Sequence, residues 1–254
     1  MTENKQENSE KSINCLACGV PLKIIKFQHI EMLGKDFPIT EECENCKKIE
    51  KQESEKNLRA KLIKANIGSR YLNLEFSNLI DVSQSFYNAK QSAIKYCKSS
   101  GVCKKKGLGM YLFGDNGRGK TAIEACILKE LARQGYSIYL TNLTEVVDKI
   151  FKNELKLSFL KDVDFLVIDD IGSEKMTKTG LDETFVAEKS NELISSREKD
   201  LKPTLFTSNL SISSLLKVGY LKKIVERIYS LSTRIIEIES DESYRMRPVN
   251  ELPF

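Results

Sequence analysis

The sequence predicts an α/β protein in which a parallel β-sheet with flanking helices follows a small four-cysteine zinc-binding domain. Three observations support this fold class. Short apolar runs alternate with helix-length segments from about residue 76 onward. A glycine-rich stretch follows the first of the runs and precedes a helix. Four cysteines near the start of the chain form two Cys-x-x-Cys pairs.

The two cysteine pairs are separated by 24 residues. Two residues between cysteines let both sulfurs of a pair reach one tetrahedral ion, and Gly19 supplies the backbone freedom that the turn requires. We interpret the cysteines as ligands of a structural zinc ion that stabilises a module too small to hold its own core. Two redox-active pairs are the alternative, and His29 lies between the pairs, where it could replace one cysteine. The proposed ligands are Cys15, Cys18, Cys43 and Cys46.

The composition narrows the possible classes of function. The 254 residues are enough for one large domain, or for a medium domain with a small one, and the net charge of +4 is too small for a histone-like polycation. A single histidine argues against Ser-His-Asp catalysis. The sequence shows neither a signal peptide nor an apolar run long enough to span a membrane. We therefore expect a cytoplasmic protein without a membrane partner, in which disulfides are disfavoured.

A charged stretch without proline or glycine, residues 47–64, follows the second cysteine pair and carries seven basic and three acidic residues. We expect a solvated helix that links two domains, and a basic arm that contacts nucleic acid or a partner is the alternative. The predicted domains are a zinc-binding, partner-interaction domain at 1–50, a charged helical linker at 51–70 and the α/β domain at 71–254.

Five short apolar runs predict the strands of the sheet. The third run, residues 165–168, is apolar at every position, as expected for a strand that is covered on both faces. Segments 121–133 and 183–199 are long enough for the helices that connect parallel strands. The other runs are residues 110–113, 137–140, 204–207 and 234–238.

Residues 114–121 read GDNGRGKT and fit the phosphate-loop pattern G-x-x-x-x-G-K-[ST] between a strand and a helix. Such a loop turns its backbone amides toward an anion, and the dipole of the following helix adds to the attraction. We therefore expect ATP as the ligand, with Lys120 at the β- and γ-phosphates and the Thr121 hydroxyl as a ligand of Mg²⁺. A glycine-rich turn that binds nothing is the alternative. The proposed nucleotide-binding residues are Gly114, Asp115, Asn116, Gly117, Arg118, Gly119, Lys120, Thr121 and Ala122.

Two carboxylates, Asp169 and Asp170, follow the third apolar run, and in a parallel sheet ligands bind beyond the carboxyl ends of the strands. We expect Asp169 to lie at the Mg²⁺ ion and Asp170 to orient or deprotonate the attacking water. An aspartate reaches less far than a glutamate, so slow hydrolysis is expected. Asn209 follows the next run and could bind the γ-phosphate or the water. Ordinary strand-end carboxylates and a Ser-Asn turn are the alternatives.

Together these motifs resemble the AAA+ ATPases, and among them the bacterial replicative-helicase loaders of the DnaC/DnaI type. The resemblance covers roughly residues 66–247 and implies an AAA+ P-loop NTPase fold. The cysteine module is similar to the DnaI-type arrangement, in which that domain grips the helicase. The matching stretches are residues 65–71 (ANIGSRY) with Phe76, 114–121, 169–172 (DDIG), Arg197, 207–210 (TSNL), 224–228 (IVERI) and 243–245 (SYR).

The resemblance implies roles for two arginines. Arg227 would be the finger that reaches the γ-phosphate bound by a neighbouring subunit, because a guanidinium is planar, always charged and bidentate. Arg245 would sense the nucleotide in its own subunit. Arg234 is an alternative finger, and an ordinary surface or salt-bridged arginine is the alternative for each role. The implied catalytic residues are Lys120, Asp169, Asp170, Asn209 and Arg227.

The function that the resemblance implies is ATP-dependent loading of a replicative ring helicase onto single-stranded DNA by a homo-oligomer of this chain. A transposition-helper ATPase of the IstB type is the nearest alternative. The second alternative is a zinc-binding adaptor that does not hydrolyse ATP and whose conformation is switched by nucleotide binding. The chain departs from the loaders in two respects. Its module has four cysteines in two pairs instead of a set that includes histidine, and the stretch 141–164, where the loaders carry an extra DNA-facing helix, is short. A basic patch that could follow a DNA backbone consists of Lys149, Lys152, Lys156 and Lys161.

Overall fold

The computed structural model describes residues 12–173, 183–218, 220, 222–240 and 244. The chain divides into two compact units, Met1–Asn57 and Leu58–Phe254. The predicted division into 1–50, 51–70 and 71–254 is finer than this one, and its boundaries stay a prediction. No helix in the described part of the chain is both long enough and apolar enough to cross a membrane.

The described part of the first unit contains a three-stranded antiparallel sheet with its longest strand in the middle. A short 3-10 turn, Glu31–Leu33, joins the second and third strands, and Gly34 closes this turn with a φ of 57°. The second and third strands lie between the two cysteine pairs along the chain, so the hairpin that they form brings the second pair back beside the first. The strands are β1 (Ser12–Asn14), β2 (Pro21–Ile30) and β3 (Lys35–Thr40). Helix α1 (Glu44–Lys64) begins in this unit, continues past its last residue and contains the charged stretch 47–64.

The described residues of the second unit form a sheet of five parallel strands, which confirms the predicted α/β architecture. The strands are β4 (Gly109–Phe113), β5 (Ile138–Thr141), β6 (Phe165–Ile171), β7 (Thr204–Ser208) and β8 (Ser232–Glu237). Their order across the sheet is β5-β6-β7-β4-β8. Strand β4, which precedes the phosphate loop, therefore lies between the last two strands of the chain. Strand β6 continues past its predicted end at residue 168 and includes both aspartates.

Helices pack on both faces of this sheet. They are α2 (Gln84–Lys98), α3 (Ser100–Lys106), α4 (Lys120–Arg133), α5 (Leu143–Phe151), α6 (Leu157–Asp162), α7 (Glu183–Lys199), α8 (Ile212–Lys217) and α9 (Lys222–Leu231). Phe165 and Val167 of β6 belong to one buried cluster with residues of α2 and α4. Leu166 and Ile168 belong to a second cluster with residues of α5, α7 and α9. The run 165–168 is apolar at every position because each of its faces is covered.

A buried arginine near the end of α7 joins three segments of the second unit. The Nη1 atom of Arg197 donates to the Leu160 oxygen at 2.7 Å and to the Val163 oxygen at 3.0 Å. Its Nη2 atom donates to the Pro203 oxygen at 2.7 Å, and Nε donates to Thr204 Oγ1 at 2.8 Å. Burial lowers the pKa of Arg197 to about 9, so the surrounding oxygens are needed to hold the charge.

Replacing Arg197 with methionine is expected to lower the free energy of unfolding by about 3–5 kcal/mol, because the buried Leu160 and Val163 oxygens would lose the donor that they share. Urea denaturation of the full chain, followed by circular dichroism, measures the change. Arg234→Met is the control, since Arg234 is exposed on β8. A loss for Arg197→Met no larger than that of the control would contradict this role.

Candidate nucleotide site and metal centre

The four predicted zinc ligands form one compact cluster in the first unit, and all four Sγ atoms lie within 4.8 Å of one another. The sulfurs of Cys15 and Cys46 are 3.6 Å apart. Those of Cys18 and Cys43 are 3.4 Å apart. In a tetrahedral site with Zn–S bonds of about 2.3 Å, neighbouring sulfurs are about 3.8 Å apart. The predicted four-cysteine cluster is therefore confirmed, and its donor set fits zinc.

Backbone amides favour the thiolate form of the first cysteine pair. The amides of Cys18 and Ala17 lie against the Cys15 sulfur and lower the pKa of that thiol. The Val20 amide acts in the same way on Cys18, whose pKa falls to about 6. Hydrogen bonds with the other cysteines raise the pKa of Cys46. A divalent ion among the four sulfurs would supply the positive charge that a full set of thiolates requires.

His29 lies outside the cysteine cluster. Its Nδ1 atom is 2.7 Å from Asp36 Oδ1 on the neighbouring strand β3, and both side chains are exposed. Four thiols complete a tetrahedron, so the arrangement has no need of His29 as a ligand.

The phosphate loop connects the end of β4 to the start of α4, as the sequence predicts. At two positions of the loop glycine is required, because a Cβ atom would clash with a neighbouring group and because the backbone has a positive φ angle. A Cβ atom at Gly114 would lie 2.2 Å from the Ile238 oxygen, and one at Gly119 would lie 2.6 Å from the Phe86 ring. Their φ angles are 144° and 85°. Helix α4 begins directly at Lys120, so its positive amino end faces the loop.

Lys120 links the phosphate loop to the end of β7. Its largely buried ammonium group donates to the Gly114 oxygen at 2.6 Å and to the Asp115 oxygen at 2.9 Å. It also lies 2.8 Å from Asn209 Oδ1. The structure thus places Asn209, which was predicted from its position after a strand, directly beside the lysine of the phosphate loop.

The two aspartates have different environments at the end of β6. Asp169 accepts hydrogen bonds from the hydroxyl groups of Thr121, at 3.2 Å, and Thr207. Asp170 has a left-handed backbone with a φ of 58°, at an irregularity in the pairing with β7. Its Oδ1 atom accepts a hydrogen bond from Asn209 Nδ2 at 3.0 Å. The carboxylate, hydroxyl and amide groups predicted for Mg²⁺ and water therefore meet at one edge of the sheet.

These groups border one cavity of the second unit. Its donors toward a cation are the oxygens of Thr121 and Asp169, which are of the kind that Mg²⁺ prefers, so the residues fit that ion. Gly114 and Asp115 are not among the lining residues and instead bind Lys120 through their carbonyl groups. The predicted residues that line the cavity are Asn116, Gly117, Arg118, Gly119, Lys120, Thr121, Ala122, Asp169, Asp170 and Asn209.

Sequence reasoning assigned no binding role to four other residues that line the cavity. The guanidinium carbon of Arg70 lies 4.5 Å from the centre of the Tyr71 ring. Tyr244 stacks on Phe86 with ring centres 5.6 Å apart, and its amide donates to the Gly117 oxygen at 2.7 Å. A wall of aromatic and cationic groups suits a flat purine base. The set is Arg70, Tyr71, Leu74 and Tyr244, and all of these except Leu74 lie in stretches of the sequence that resemble the helicase loaders.

Arg227 lies on α9 and pairs within its own chain. Its Nη1 atom donates to Asn191 Oδ1 at 2.6 Å, and its Nε atom lies 3.2 Å from Glu198 Oε2, with both partners on α7. Arg227 is not among the residues that line the cavity, so a finger role toward another subunit stays a prediction. Arg245, the predicted sensor, lies outside the described residues. Arg234 is exposed on β8.

Comparison with known proteins finds a helicase loader. The chain is 37% identical over 117 residues to the replicative helicase loader DnaI of Bacillus subtilis (strain 168). The match covers 43% of this chain and 36% of that protein, so the chain spans little more than a third of the length of this curated relative. No family model matches the chain.

Two solved structures share the fold. The DnaC helicase loader gives a TM-score of 0.59 at 23% identity, over 68% of this chain and 100% of that one. DnaA from Aquifex aeolicus, solved with AMPPCP bound, gives a TM-score of 0.53 at 18% identity, over 70% of this chain and 53% of that one. These likenesses confirm the predicted AAA+ P-loop fold. With the match to DnaI, they confirm the predicted resemblance to the replicative helicase loaders.

Proposed function

We propose that this chain, which resembles the replicative helicase loaders of the DnaI type, is itself an ATP-dependent helicase loader. The observation that carries the proposal is the joint placement of Lys120, Thr121 and Asp169 at the edge of an AAA+ sheet. The chain would bind the replicative helicase and deliver it to single-stranded DNA during replication initiation. ATP binding and hydrolysis would assemble the complex and then release it.

ATP with Mg²⁺ is the proposed cofactor of the second unit, and zinc is that of the first. Lys120 would neutralise the β- and γ-phosphates, while Thr121 and Asp169 would hold Mg²⁺, which adds positive charge at the same phosphates. Asp170, held by Asn209, would orient the attacking water. Asp170 is a short carboxylate with one oxygen engaged, so we propose that hydrolysis is slow until a partner or DNA completes the site.

A second copy of the chain would supply Arg227 as a finger. In the single chain, Glu198 and Asn191 hold the guanidinium group in a half-buried position on α9. A partly exposed ion pair of this kind contributes about 1 kcal/mol or less, so a γ-phosphate can replace it. The ATPase rate per chain should therefore rise with protein concentration, and a rate independent of concentration would count against the finger.

The β2–β3 hairpin of the first unit is the proposed contact with the helicase. Met32 is 96% exposed at its tip, and Phe27 is 56% exposed on β2. Large apolar side chains clustered on one exposed hairpin are typical of an interface, where they become buried anchors. The exposed apolar residues of the hairpin include Ile25, Phe27, Met32 and Leu33.

Replacing Phe27 and Met32 together with serine is expected to weaken binding to the replicative helicase of the same genome at least about tenfold, because two anchors are lost. Co-purification, followed by titration on a biosensor, measures the change. Val102→Ser is the control, since Val102 is similarly exposed on α3 of the second unit. Full binding by the double variant would contradict the assignment. Capture of a transposase in place of a helicase would favour the IstB-type alternative.

Two exposed aromatic residues offer a contact for single-stranded DNA. Phe151 ends α5 and is 72% exposed, Phe159 is exposed on α6, and Lys156 is exposed between them. Aromatic groups that stack with bases, next to a basic group that meets the backbone, are typical of single-strand binding. The other lysines of the predicted basic patch are paired with acidic side chains: Lys149 with Glu145, Lys152 with Asp148 and Lys161 with Glu192.

Replacing Phe151 and Phe159 with serine is expected to weaken binding of a fluorescent single-stranded oligonucleotide by about tenfold or more, since each stacked base contributes about 1–3 kcal/mol. Fluorescence anisotropy measures the affinity. Tyr229→Ser is the control, because Tyr229 is an exposed aromatic residue on α9. An affinity that stays at the wild-type value would exclude these aromatic residues as the contact.

A further inference from the structure

Lys129 is a buried lysine of α4 that is not among the residues lining the nucleotide cavity. Its exposed fraction is 8%. An ammonium group carries three protons, and three acceptors surround this one. The Nζ atom donates to the Leu72 oxygen at 2.8 Å and to the Leu74 oxygen at 3.2 Å, and it lies 2.6 Å from Glu75 Oε1. These partners offset the cost of burying the charge and hold the ammonium group in one position.

Glu75 is held by two basic side chains of the same helix. Its Oε1 atom accepts from Arg133 Nη2 at 2.6 Å as well as from Lys129, and its Oε2 atom accepts from Arg133 Nη1 at 2.7 Å. Such a double hydrogen bond between an arginine and a carboxylate fixes direction as well as distance. Lys129 and Arg133 are four positions apart, so they share one face of α4. That face binds the stretch 72–75 at three points.

The stretch that Lys129 binds belongs to the wall of the nucleotide cavity. Residues 69–71 form a single 3-10 turn, and residues 72–75 follow it without a helix or a strand. Arg70, Tyr71 and Leu74 line the cavity. One of the carbonyl groups that Lys129 binds is that of Leu74, and the other directly follows Tyr71 in the chain. Buried carbonyl groups outside regular structure need a donor from elsewhere, and here α4 supplies it.

Helix α4 therefore fixes two sides of the cavity relative to each other. Its amino end carries Lys120 and Thr121 on the phosphate side, and its last turns hold the aromatic wall through Lys129. Contact groups that are already held in place lose less freedom when a ligand binds, so they give a higher affinity.

We propose that Lys129, together with Glu75, is a positioning residue for the base of the nucleotide. It holds Tyr71 and Leu74 at a fixed place relative to the phosphate loop. This inference rests on the proposed ATPase function and adds to it a determinant of base affinity. Neither Lys129 nor Glu75 lines the cavity, so both act through the wall and do not touch the ligand.

Lys129→Met tests the proposal in the full chain, because it removes the ammonium group and keeps a long, flexible side chain. Competition against a fluorescent ATP analogue in Mg²⁺ gives the affinities for ATP and for inorganic tripolyphosphate, which has the phosphates without the base. We expect the ATP affinity to fall about tenfold, while the tripolyphosphate affinity stays within about twofold of the wild type. A role in stability alone would not separate the two ligands.

Lys90→Met is the matched control, because Lys90 has the same exposed fraction of 8% and binds the Leu79 oxygen and Asp81 outside the cavity lining. It should lose stability in the same way, while its affinities for both ligands stay at the wild-type values. An ATP-to-tripolyphosphate affinity ratio that is the same for Lys129→Met and Lys90→Met overturns the proposal. A wild type that binds the two ligands equally tightly also overturns it, because the wall would then add nothing.

Glu75→Gln decides the question if circular dichroism shows that Lys129→Met does not fold. It keeps the shape of a partly exposed side chain and removes the charge that binds both basic residues. We expect the ATP affinity to fall about threefold, with no change for tripolyphosphate. In that case, an ATP affinity equal to that of the wild type overturns the proposal. A wild-type chain that binds ATP no better than Lys120→Ala overturns the proposed function instead.

Discussion

Replacing Lys120 with alanine is expected to reduce ATP hydrolysis at least about 100-fold and to remove tight ATP binding. The ammonium group is held by the Gly114 and Asp115 oxygens and by Asn209 Oδ1, so it has a defined position at the mouth of the phosphate loop. An approaching phosphate can replace those oxygens as its partner. Alanine leaves neither the positive charge nor a donor at that point, while the loop backbone remains.

Phosphate release at saturating ATP and Mg²⁺ measures this effect. Lys105→Ala is the control, since Lys105 is exposed on α3 and lies outside the set of residues that line the cavity. Equal phosphate release by the wild type and Lys120→Ala would remove the ATPase claim. Tight ATP binding by a wild type that shows no turnover above the Lys120→Ala blank would favour the non-hydrolysing adaptor.

Removing zinc, by chelation or by Cys43→Ser, is expected to unfold the first unit and abolish helicase binding. No residue described between 13 and 57 is buried, so this unit has no apolar core among its described residues. A structural zinc ion contributes about 10–16 kcal/mol of folding free energy in modules of this kind. The metal, held by the four sulfurs, is therefore the main source of stability for the hairpin that presents Phe27 and Met32.

Elemental analysis should find one zinc ion per chain, and circular dichroism should show loss of β-structure when a chelator removes it. His29→Ala is the control and should retain the ion, because His29 pairs with Asp36 outside the cluster. A chain without zinc, whose two cysteine pairs form disulfides reversibly, would support the redox alternative and contradict this one.

The phosphate site could be predicted because its signals are local in sequence and its geometry follows from the fold. The glycine and lysine spacing marks the loop, and parallel strands place their carboxyl ends at one edge. Asp169 and Asn209 could therefore be placed near Lys120, and the structure brings them together. The four-cysteine cluster could be predicted for the same reason, since the Cys-x-x-Cys spacing of each pair is visible in the sequence.

The remaining features depend on contacts that no short stretch of sequence encodes. The bulge that turns Asp170 into a left-handed conformation arises from the pairing of β6 with β7. Tyr244 reaches the phosphate loop from 127 positions further along the chain, through its bond to Gly117. Nothing in the sequence distinguishes Glu124 from an exposed glutamate of a helix, and only the structure shows that it is buried. The β2–β3 hairpin was not predicted because its apolar residues do not alternate regularly with polar ones, since Ile24 and Ile25 are adjacent at the irregularity in the pairing with β3.

The proposed function of this chain is the ATP-dependent placement of a ring helicase on single-stranded DNA. The most direct test is the occupancy of helicase on closed circular single-stranded DNA, because a closed ring cannot thread onto a circle without being opened. We expect the wild-type chain with ATP and Mg²⁺ to raise this occupancy strongly, and we expect neither Lys120→Ala nor the Phe27→Ser, Met32→Ser variant to do so. Occupancy that is the same with and without the chain, in the presence of ATP, would contradict the proposed function.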